Sequence, residues 1–188
     1  MLGTPVLQAD SPITLEPVNR KHLNKIFEAY EEAPEQALEA LPWLEPEGDM
    51  MRQLSDLLSD LEHHFEDDKL HFWSIHDNEN NEFCGLIGLG DELQHEYSNY
   101  SLGYWVRQSR QRKGIASSSV DAVLSWLNSR NKPIRIELTV HPHNNPGIAA
   151  CSSICERWNG KTLPGFIGVE INGRTIPHIL HLIDLPRG

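Results

Sequence analysis

Four of the chain's 16 lysines and arginines, Arg107, Arg110, Arg112 and Lys113, lie close together in a protein of formal net charge −11. The stretch begins on the apolar, aromatic Tyr104-Trp-Val106, passes through this basic run, reaches Gly114 and continues into an amphipathic helix. That order suits one kind of chemistry, the capture of an anion by main-chain N–H groups at a helix start. Gln111-Arg-Lys-Gly-Ile-Ala116 has the form Gln-x-x-Gly-x-Ala. Gly114 lets the chain turn with no side chain in a ligand's way. Ala116 keeps the first helical turn small. The N–H groups of that turn have no intrahelical acceptor and would point at the anion. The helix dipole and the cationic side chains add to the pull. The bland alternative is a strand-to-helix turn with surface arginines.

The segment is neither a Walker phosphate loop nor the dinucleotide fingerprint, because the required glycine and lysine spacings are missing. A nucleotide-like cofactor carrying a diphosphate remains, with coenzyme A as the natural candidate. The length of 188 residues suggests one domain with a full hydrophobic core. A hydrophobic fraction of 39% and a charged fraction of 23% are ordinary for a globular protein. No run of residues has the length and apolarity of a membrane span, and no secretory leader is expected. Cys84, Cys151 and Cys155 are too few and too irregular for a disulfide framework or a zinc knuckle, and they suit a reducing, cytoplasmic setting. The acidity argues against nucleic acid as a partner and favours a basic one, an amine or a protein's basic terminus.

Hydrophobic periodicity outlines the elements that must position the loop. Residues 1–11 read as a lead-in, and Ile13 and Leu15 mark an edge strand ending at Pro17. Asn19 caps a helix carrying Leu23, Ile26, Phe27 and Tyr30. Pro34 opens a short helix with Ala37, Leu38 and Leu41. A longer helix over 48–67 carries Met51, Leu54, Leu57, Leu58, Leu61 and Phe65 inward, with Asp56, Asp60, Glu62 and Glu66 on its acidic face. Strands follow at 70–75, at Phe83 to Leu89 and at Tyr100 to Arg107, with a polar loop over 91–99. A helix from Gly114 to about Arg130 buries Ala116, Val120, Val123, Leu124 and Leu127. A strand over 134–141 and a helix from about Ile148 to Trp158 come next. A hairpin over 166–171 and 176–183 turns at Asn172-Gly173. The pattern is one mixed α/β sheet without repeats.

With these elements in order, the chain resembles the Gcn5-related N-acetyltransferase (GNAT) superfamily, in particular its ribosomal-protein N-terminal acetyltransferases of RimJ/RimL type. Gln111 to Ala116 matches the acetyl-CoA diphosphate signature. Ser101-Leu-Gly-Tyr-Trp-Val106, Gly85-Leu-Ile-Gly88 and Leu41-Pro-Trp-Leu44 resemble segments of that branch. The resemblance implies an α+β GNAT fold, a mixed central sheet splayed between two core strands and flanked by helices, in a single domain with its core at about 12–184. It implies direct acetyl transfer from acetyl-CoA to an amine, most naturally the N-terminal α-amine of a protein or peptide, without an acyl-enzyme. Acetylation of a small amine or antibiotic and a non-catalytic CoA-binding or protein-interaction module are the alternatives. The cofactor would lie against the main chain of Trp105, Val106 and Arg107 and against Gln111, Arg112, Lys113, Gly114, Ile115 and Ala116. A main-chain N–H near Trp105 or Val106 would stabilise the developing oxyanion.

The branch carries an Asn and then a Ser after its second core strand, and here the text is His141-Pro-His-Asn-Asn-Pro-Gly-Ile-Ala-Ala-Cys-Ser-Ser153. Asn144 or Asn145 fills the Asn role, and Cys151 or Ser152 would donate to the departing thiolate. The Gly-Phe pair usual after that helix is replaced by Trp158-Asn159-Gly160. An amine must lose a proton before attack, and Glu96, Glu137 and His141 are the candidate acceptors. Ten histidines invite a metal reading. His63-His64 face different ways on a helix, and His141-x-His143 has no carboxylate at ligand spacing, so no metal site is expected. Cys151 and Cys155 share a helical face and are expected to pack as small hydrophobes. Trp43 is a candidate wall of the acceptor cleft. Monomer and homodimer are both compatible with the sequence.

Overall fold

A computed structural model describes residues 3–10, 12–64 and 68–186 of the chain. The strands are β1 (Leu7–Gln8), β2 (Ile13–Pro17), β3 (His71–Asp77), β4 (Glu82–Gly90), β5 (Tyr100–Val106), β6 (Ile134–Val140), β7 (Lys161–Thr162), β8 (Ile167–Ile171) and β9 (Arg174–Leu185). The α-helices are α1 (Leu23–Glu32), α2 (Pro34–Ala40), α3 (Met50–His63), α4 (Ile115–Ser129) and α5 (Asn145–Trp158). Antiparallel ladders, one parallel pair and these flanking helices make an α+β mixed sheet. The chain gathers into two compact units: Met1–Leu89 with Gly103–Ala122, and Gly90–Leu102 with Val123–Gly188. Strand β5 and helix α4 each begin in one unit and end in the other.

In the first unit, β1, β2, β3 and β4 form an antiparallel meander. Helices α1 to α3 cover it through a core that includes Ile26, Ala29, Ala37, Leu54, Leu58, Phe83 and Trp105. Each helix starts where local chemistry supplies its missing acceptors or needs none. Helix α1 is led in by a 3-10 turn, Arg20–His22, whose start is capped: the Asn19 side chain accepts from the Lys21 N–H, and the Asn19 N–H donates to His22 Nδ1, closing a capping box. Pro34 stands in the first turn of α2, where no N–H is missed. Asp49 accepts from the Arg52 N–H ahead of α3. Helix α3 ends at His63, and the expected core residue Phe65 and acidic Glu66 lie outside the described residues. Gly85 permits β4 and β5 to approach, because a Cβ there would lie 2.0 Å from the Trp105 carbonyl oxygen.

In the second unit, β5 pairs in parallel with β6 at Tyr100↔Ile136 and Ser101↔Glu137. Asn99 prolongs that ladder by one step. Its N–H donates to the Arg135 carbonyl at 2.7 Å, and its Oδ1 accepts from the Arg135 N–H at 2.7 Å. β6 runs antiparallel to β9 from Ile134↔Leu185 to Val140↔Ile179. Helix α5 packs on β6 and β9. The hairpin joining β8 to β9 turns at Asn172 (φ 50) and Gly173 (φ 73), as the Asn-Gly pair predicts. Three details differ from the sequence reading. Two-residue strands occur at β1, inside the expected lead-in, and at β7. Helix α5 starts at Asn145 instead of Ile148, because Pro146 sits in its first turn and breaks nothing.

The substitution Gly85→Ala is expected to lower stability by about 2 kcal/mol or more, because its methyl meets main chain that cannot step aside. Gly90→Ala serves as the control, since the nearest atom to a Cβ there is 3.9 Å away. A thermal midpoint lowered by about 4 °C or more in the first and unchanged in the second is the expected result.

Candidate functional site

The anion loop lies wholly in the first unit and is built from the end of β5 onward. The Arg107 N–H donates to the Cys84 carbonyl at 2.9 Å, and the Trp105 carbonyl faces Gly85. The main-chain groups of Trp105 and Arg107 therefore face β4. Main-chain groups alternate sides along a strand, so those of Val106 face away from β4. The Val106 carbonyl accepts from Gln111 Nε2 at 3.0 Å on that side. Of the expected donors near the acyl group, Val106 is thus the one turned outward from its antiparallel partner.

A 3-10 turn, Gln108–Arg110, leads into the loop. Arg112 (φ 60) and Gly114 (φ 75) both adopt the left-handed region, which bends the chain sharply into α4. A Cβ at Gly114 would meet nothing within 4 Å, so this side of the loop is open. The Ser118 N–H donates to the Gly114 carbonyl at 3.0 Å. Ahead of it, none of the N–H groups of residues 112–117 donates to a protein acceptor among the described residues. Ile115 is buried, Ala116 is half-buried and residues 111–114 are exposed.

The basic run divides in two, which corrects the expectation that all four cations draw the anion. Arg107 is 6% exposed. Its Nε donates to Glu32 Oε1 at 2.9 Å, one terminal nitrogen to the Phe83 carbonyl at 3.1 Å, and the other to Glu28 at 3.2 Å and again to Glu32. Arg110 pairs with Asp77 at 3.1 Å and with Glu82. Buried guanidinium groups require such partners. Arg112 and Lys113 remain exposed, with no carboxylate partner among the described residues.

The candidate proton carriers lie in the second unit. Glu137 is 0% exposed, and its two carboxylate oxygens accept the Gln94 N–H at 2.7 Å and the His95 N–H at 3.0 Å. It ties the 91–99 loop to β6 through one hydrogen bond to each carboxylate oxygen. Glu96 follows directly in that loop and is exposed. His141 is half-buried, with His143 and His178 ring centroids 5.4 Å and 5.7 Å away. Its Nδ1 accepts from the His143 N–H at 3.2 Å, so the neutral ring carries its proton on Nε2. Asn144 caps α5 by accepting from the Gly147 N–H at 2.9 Å, and Asn145 is the exposed first residue of that helix. Cys151 is buried, and desolvation together with Cys155 pushes its pKa up to about 12. Ser152 beside it is half-buried, and its hydroxyl makes no hydrogen bond among the described residues.

The Acetyltransferase (GNAT) domain model matches residues 13–154. The chain belongs to the GNAT family. A RimL ribosomal L7/L12 α-N-protein acetyltransferase solved with coenzyme A is 15% identical, covers 95% of this chain and 97% of its own, and superposes with a TM-score of 0.77. A Salmonella typhimurium acetyltransferase that modifies the N-terminal serine of ribosomal protein L7/L12 is 14% identical, with 97% and 100% covered and a TM-score of 0.78. Mycobacterium smegmatis RimJ in complex with CoA-disulfide is 23% identical, with 97% and 87% covered and a TM-score of 0.72. These likenesses are of fold. No curated protein matches the sequence.

This GNAT chain also holds a polar cluster that sequence spacing did not show. Glu16, His22 and His76 bring their ligand-type atoms within 4.8 Å of one another. They come from β2, the turn before α1, and β3. Ser74 sits among them: its hydroxyl donates to the Glu16 carbonyl at 3.1 Å and lies 2.9 Å from His76 Nε2 and 3.4 Å from His22 Nε2. With His22 Nδ1 accepting from the Asn19 N–H, both Nε2–H groups point at the one serine oxygen, whose lone pairs receive them. The Ser74 hydroxyl thus answers both Nε2–H groups.

Burial, His76 and Lys21 push the His22 pKa down from 6.5 to about 4, and burial likewise lowers that of His76. Both rings fold neutral, so their contribution is complete above the unfolded value near 6.5 and is lost as pH falls below it. The slope is up to about 1.4 kcal/mol per pH unit for each ring. Urea unfolding at about pH 7.5 and about pH 5 is expected to show this loss, and His22→Asn is expected to flatten it. An equally steep dependence in that variant would remove His22 as the cause.

Proposed function

We propose that the protein is an acetyl-CoA-dependent N-acetyltransferase acting on an amine, with the N-terminal α-amine of a protein or peptide as the acceptor. The observation that carries the reading is the row of unanswered main-chain N–H groups over residues 112–117, open on the Gly114 side and flanked by Arg112 and Lys113. These donors fit a diphosphate in number, polarity and access. The GNAT relatives solved with coenzyme A support that ligand. Bound acetyl-CoA supplies an acetyl group activated as a thioester.

The chain's own residues do the rest. Residues 112–117 and the α4 dipole hold the negative charge, and Ile115 anchors the loop by its buried side chain. The outward Val106 N–H is the donor for an acyl oxygen, which gains negative charge as an amine adds. Transfer is direct. Cys84, Cys151 and Cys155 are all buried, and burial raises each thiol's pKa, so none is an activated nucleophile. Ser152 is the better placed of the two helix candidates to hydrogen-bond a departing thiolate, because a hydroxyl is the stronger donor and this one is unengaged. Glu96, exposed and unpaired among the described residues, takes the amine's proton through water. Glu137 acts behind it by holding the loop, and His141 offers a second ring nitrogen as a proton carrier. Of the two asparagines, Asn145 is exposed and keeps its side chain for a ligand, whereas Asn144 is spent on capping α5.

The net charge of −11 favours a basic acceptor, and the ribosomal-protein acceptors of the RimL relatives make a protein terminus the natural choice. The residues at 12–184 serve as one catalytic domain. Three unpaired thiols agree with a cytoplasmic setting.

Two measurements test the reading. Gly114→Val is expected to weaken coenzyme A binding by calorimetry more than about tenfold with the circular dichroism spectrum preserved, since the branched side chain occupies the open face and dislikes a positive φ. Unchanged affinity would sink the loop assignment. Incubation with acetyl-CoA and a panel of peptides and small amines, read by mass spectrometry, is expected to acetylate peptide N-termini. Acetylation of small amines alone would move the acceptor class, and binding without any turnover would make the protein a sensor.

A further inference from the structure

We propose that Glu32, the last residue of α1, is a positioning residue for the acetyl-CoA loop: its carboxylate grips Arg107 and Ser109 and so sets the path by which the chain enters residues 111–114. This rests on the reading of that loop given above.

Donors from two loop residues converge on the one carboxylate. Arg107 approaches through Nε at 2.9 Å and through a terminal nitrogen. Ser109 approaches through its main-chain N–H at 3.2 Å and its hydroxyl at 3.2 and 3.1 Å from the two oxygens. Hydrogen bonding to Arg107, and then to Ser109, holds the Glu32 carboxyl below its ordinary pKa. Ser109 is the central residue of the 3-10 turn, two positions before Gln111. Gln111 in turn reaches back to the Val106 carbonyl, on the outward side of β5. The short chain between Val106 and Gln111 is thereby pinned at its middle by Glu32 and across its ends by Gln111. Because the N–H groups of the loop after it meet no protein acceptor among the described residues, its shape depends on this grip from behind and on the buried Ile115 side chain. A loop whose donors are already aimed does not spend binding free energy on ordering itself.

Glu28 does not duplicate this role. Its side chain is 71% exposed, and among the described residues it meets only Arg107, at 3.2 Å. An amide in place of Glu32 presents one acceptor and a donor to a site that supplies only donors. A structural ion pair would affect stability alone. A positioning residue changes the affinity for coenzyme A and leaves saturated turnover in place.

The experiment compares wild type with Glu32→Gln, Ser109→Ala and Glu62→Gln, measuring coenzyme A binding by calorimetry, KM for acetyl-CoA, kcat and thermal midpoint. Glu62 is the control: it also pairs with an arginine and accepts a main-chain N–H, both from Arg20, well away from the loop in sequence. Glu32→Gln is expected to raise Kd and KM about tenfold with kcat within about twofold, as loss of charged hydrogen bonds allows. Ser109→Ala, which keeps the Arg107 pair and the fold, is expected to raise them about threefold. Glu62→Gln is expected to leave both constants at the wild-type value. Wild-type affinity in Glu32→Gln or Ser109→Ala, with or without a lower thermal midpoint, overturns the proposal. An equal drop in kcat without a change in Kd overturns it too. Wild type that fails to bind coenzyme A takes down the loop reading and this inference together, and that result is distinguishable because it appears before any substitution is made.

Discussion

Burying the Arg107 guanidinium is the constraint on which the first unit turns. A cation withdrawn from water must be met by acceptors on nearly every donor. The protein answers with a carboxylate from the end of α1, a second from the preceding turn of that helix, and a carbonyl from β4. The result is more than neutralisation. Helix, sheet and the turn leaving β5 are tied to one planar group, whose fixed fork leaves little freedom in how they meet. Arg110 repeats the arrangement one turn later with Asp77 of β3 and Glu82 of β4. The last part of the basic run, Arg112 and Lys113, is left exposed, and the backbone there spends none of its N–H groups on a protein acceptor among the described residues.

A similar division of labour governs the second unit. Glu137 looks in sequence like a catalytic carboxylate on a strand, yet it works as a buried anchor for two main-chain N–H groups of the next loop. An N–H pair satisfied by a buried carboxylate is a strong, directional tie. Cys151, which stands in frame for a hydroxyl, is a core residue whose thiol burial keeps protonated. The groups that remain accessible, Glu96 and Ser152, are flanked in sequence by the ones that became structural. Accessible and supporting side chains thus occupy neighbouring positions along the chain.

Much of the fold was legible in the sequence because it rests on local signals. The Asn172-Gly173 hairpin, the Pro34 helix start and the α4 stripe of Val120, Val123, Leu124 and Leu127 each follow from a few adjacent residues and stand where expected, whereas Ala116 is only half-buried and Asn19 caps the 3-10 turn ahead of α1. What sequence did not show is long-range pairing. Nothing near Arg107 announces Glu32, because the two are joined by tertiary contact, and a basic run therefore looked wholly available to an anion. The Glu16, His22 and His76 cluster was hidden for the same reason. Strands β1 and β7 are two residues long and carry no usable alternation, and they exist only because β2 and β9 offer free edges. Helix α5 starts at Asn145, ahead of the apolar Ile148 from which periodicity marks it, because Pro146 occupies a first-turn position that needs no N–H donor.

Asn99 has a consequence of another kind. By copying the donor and acceptor of a strand residue against Arg135, it sets the register of β5 at its entrance, independently of the chain that precedes it. Glu137 fixes that preceding chain again at Gln94 and His95. Between these two moorings Glu96 and Tyr97 are exposed, while Ser98 is buried and its N–H donates to the His95 carbonyl at 3.0 Å. Substitutions at the exposed Glu96 and Tyr97 would therefore leave the strands in step, because the register is held on either side of them.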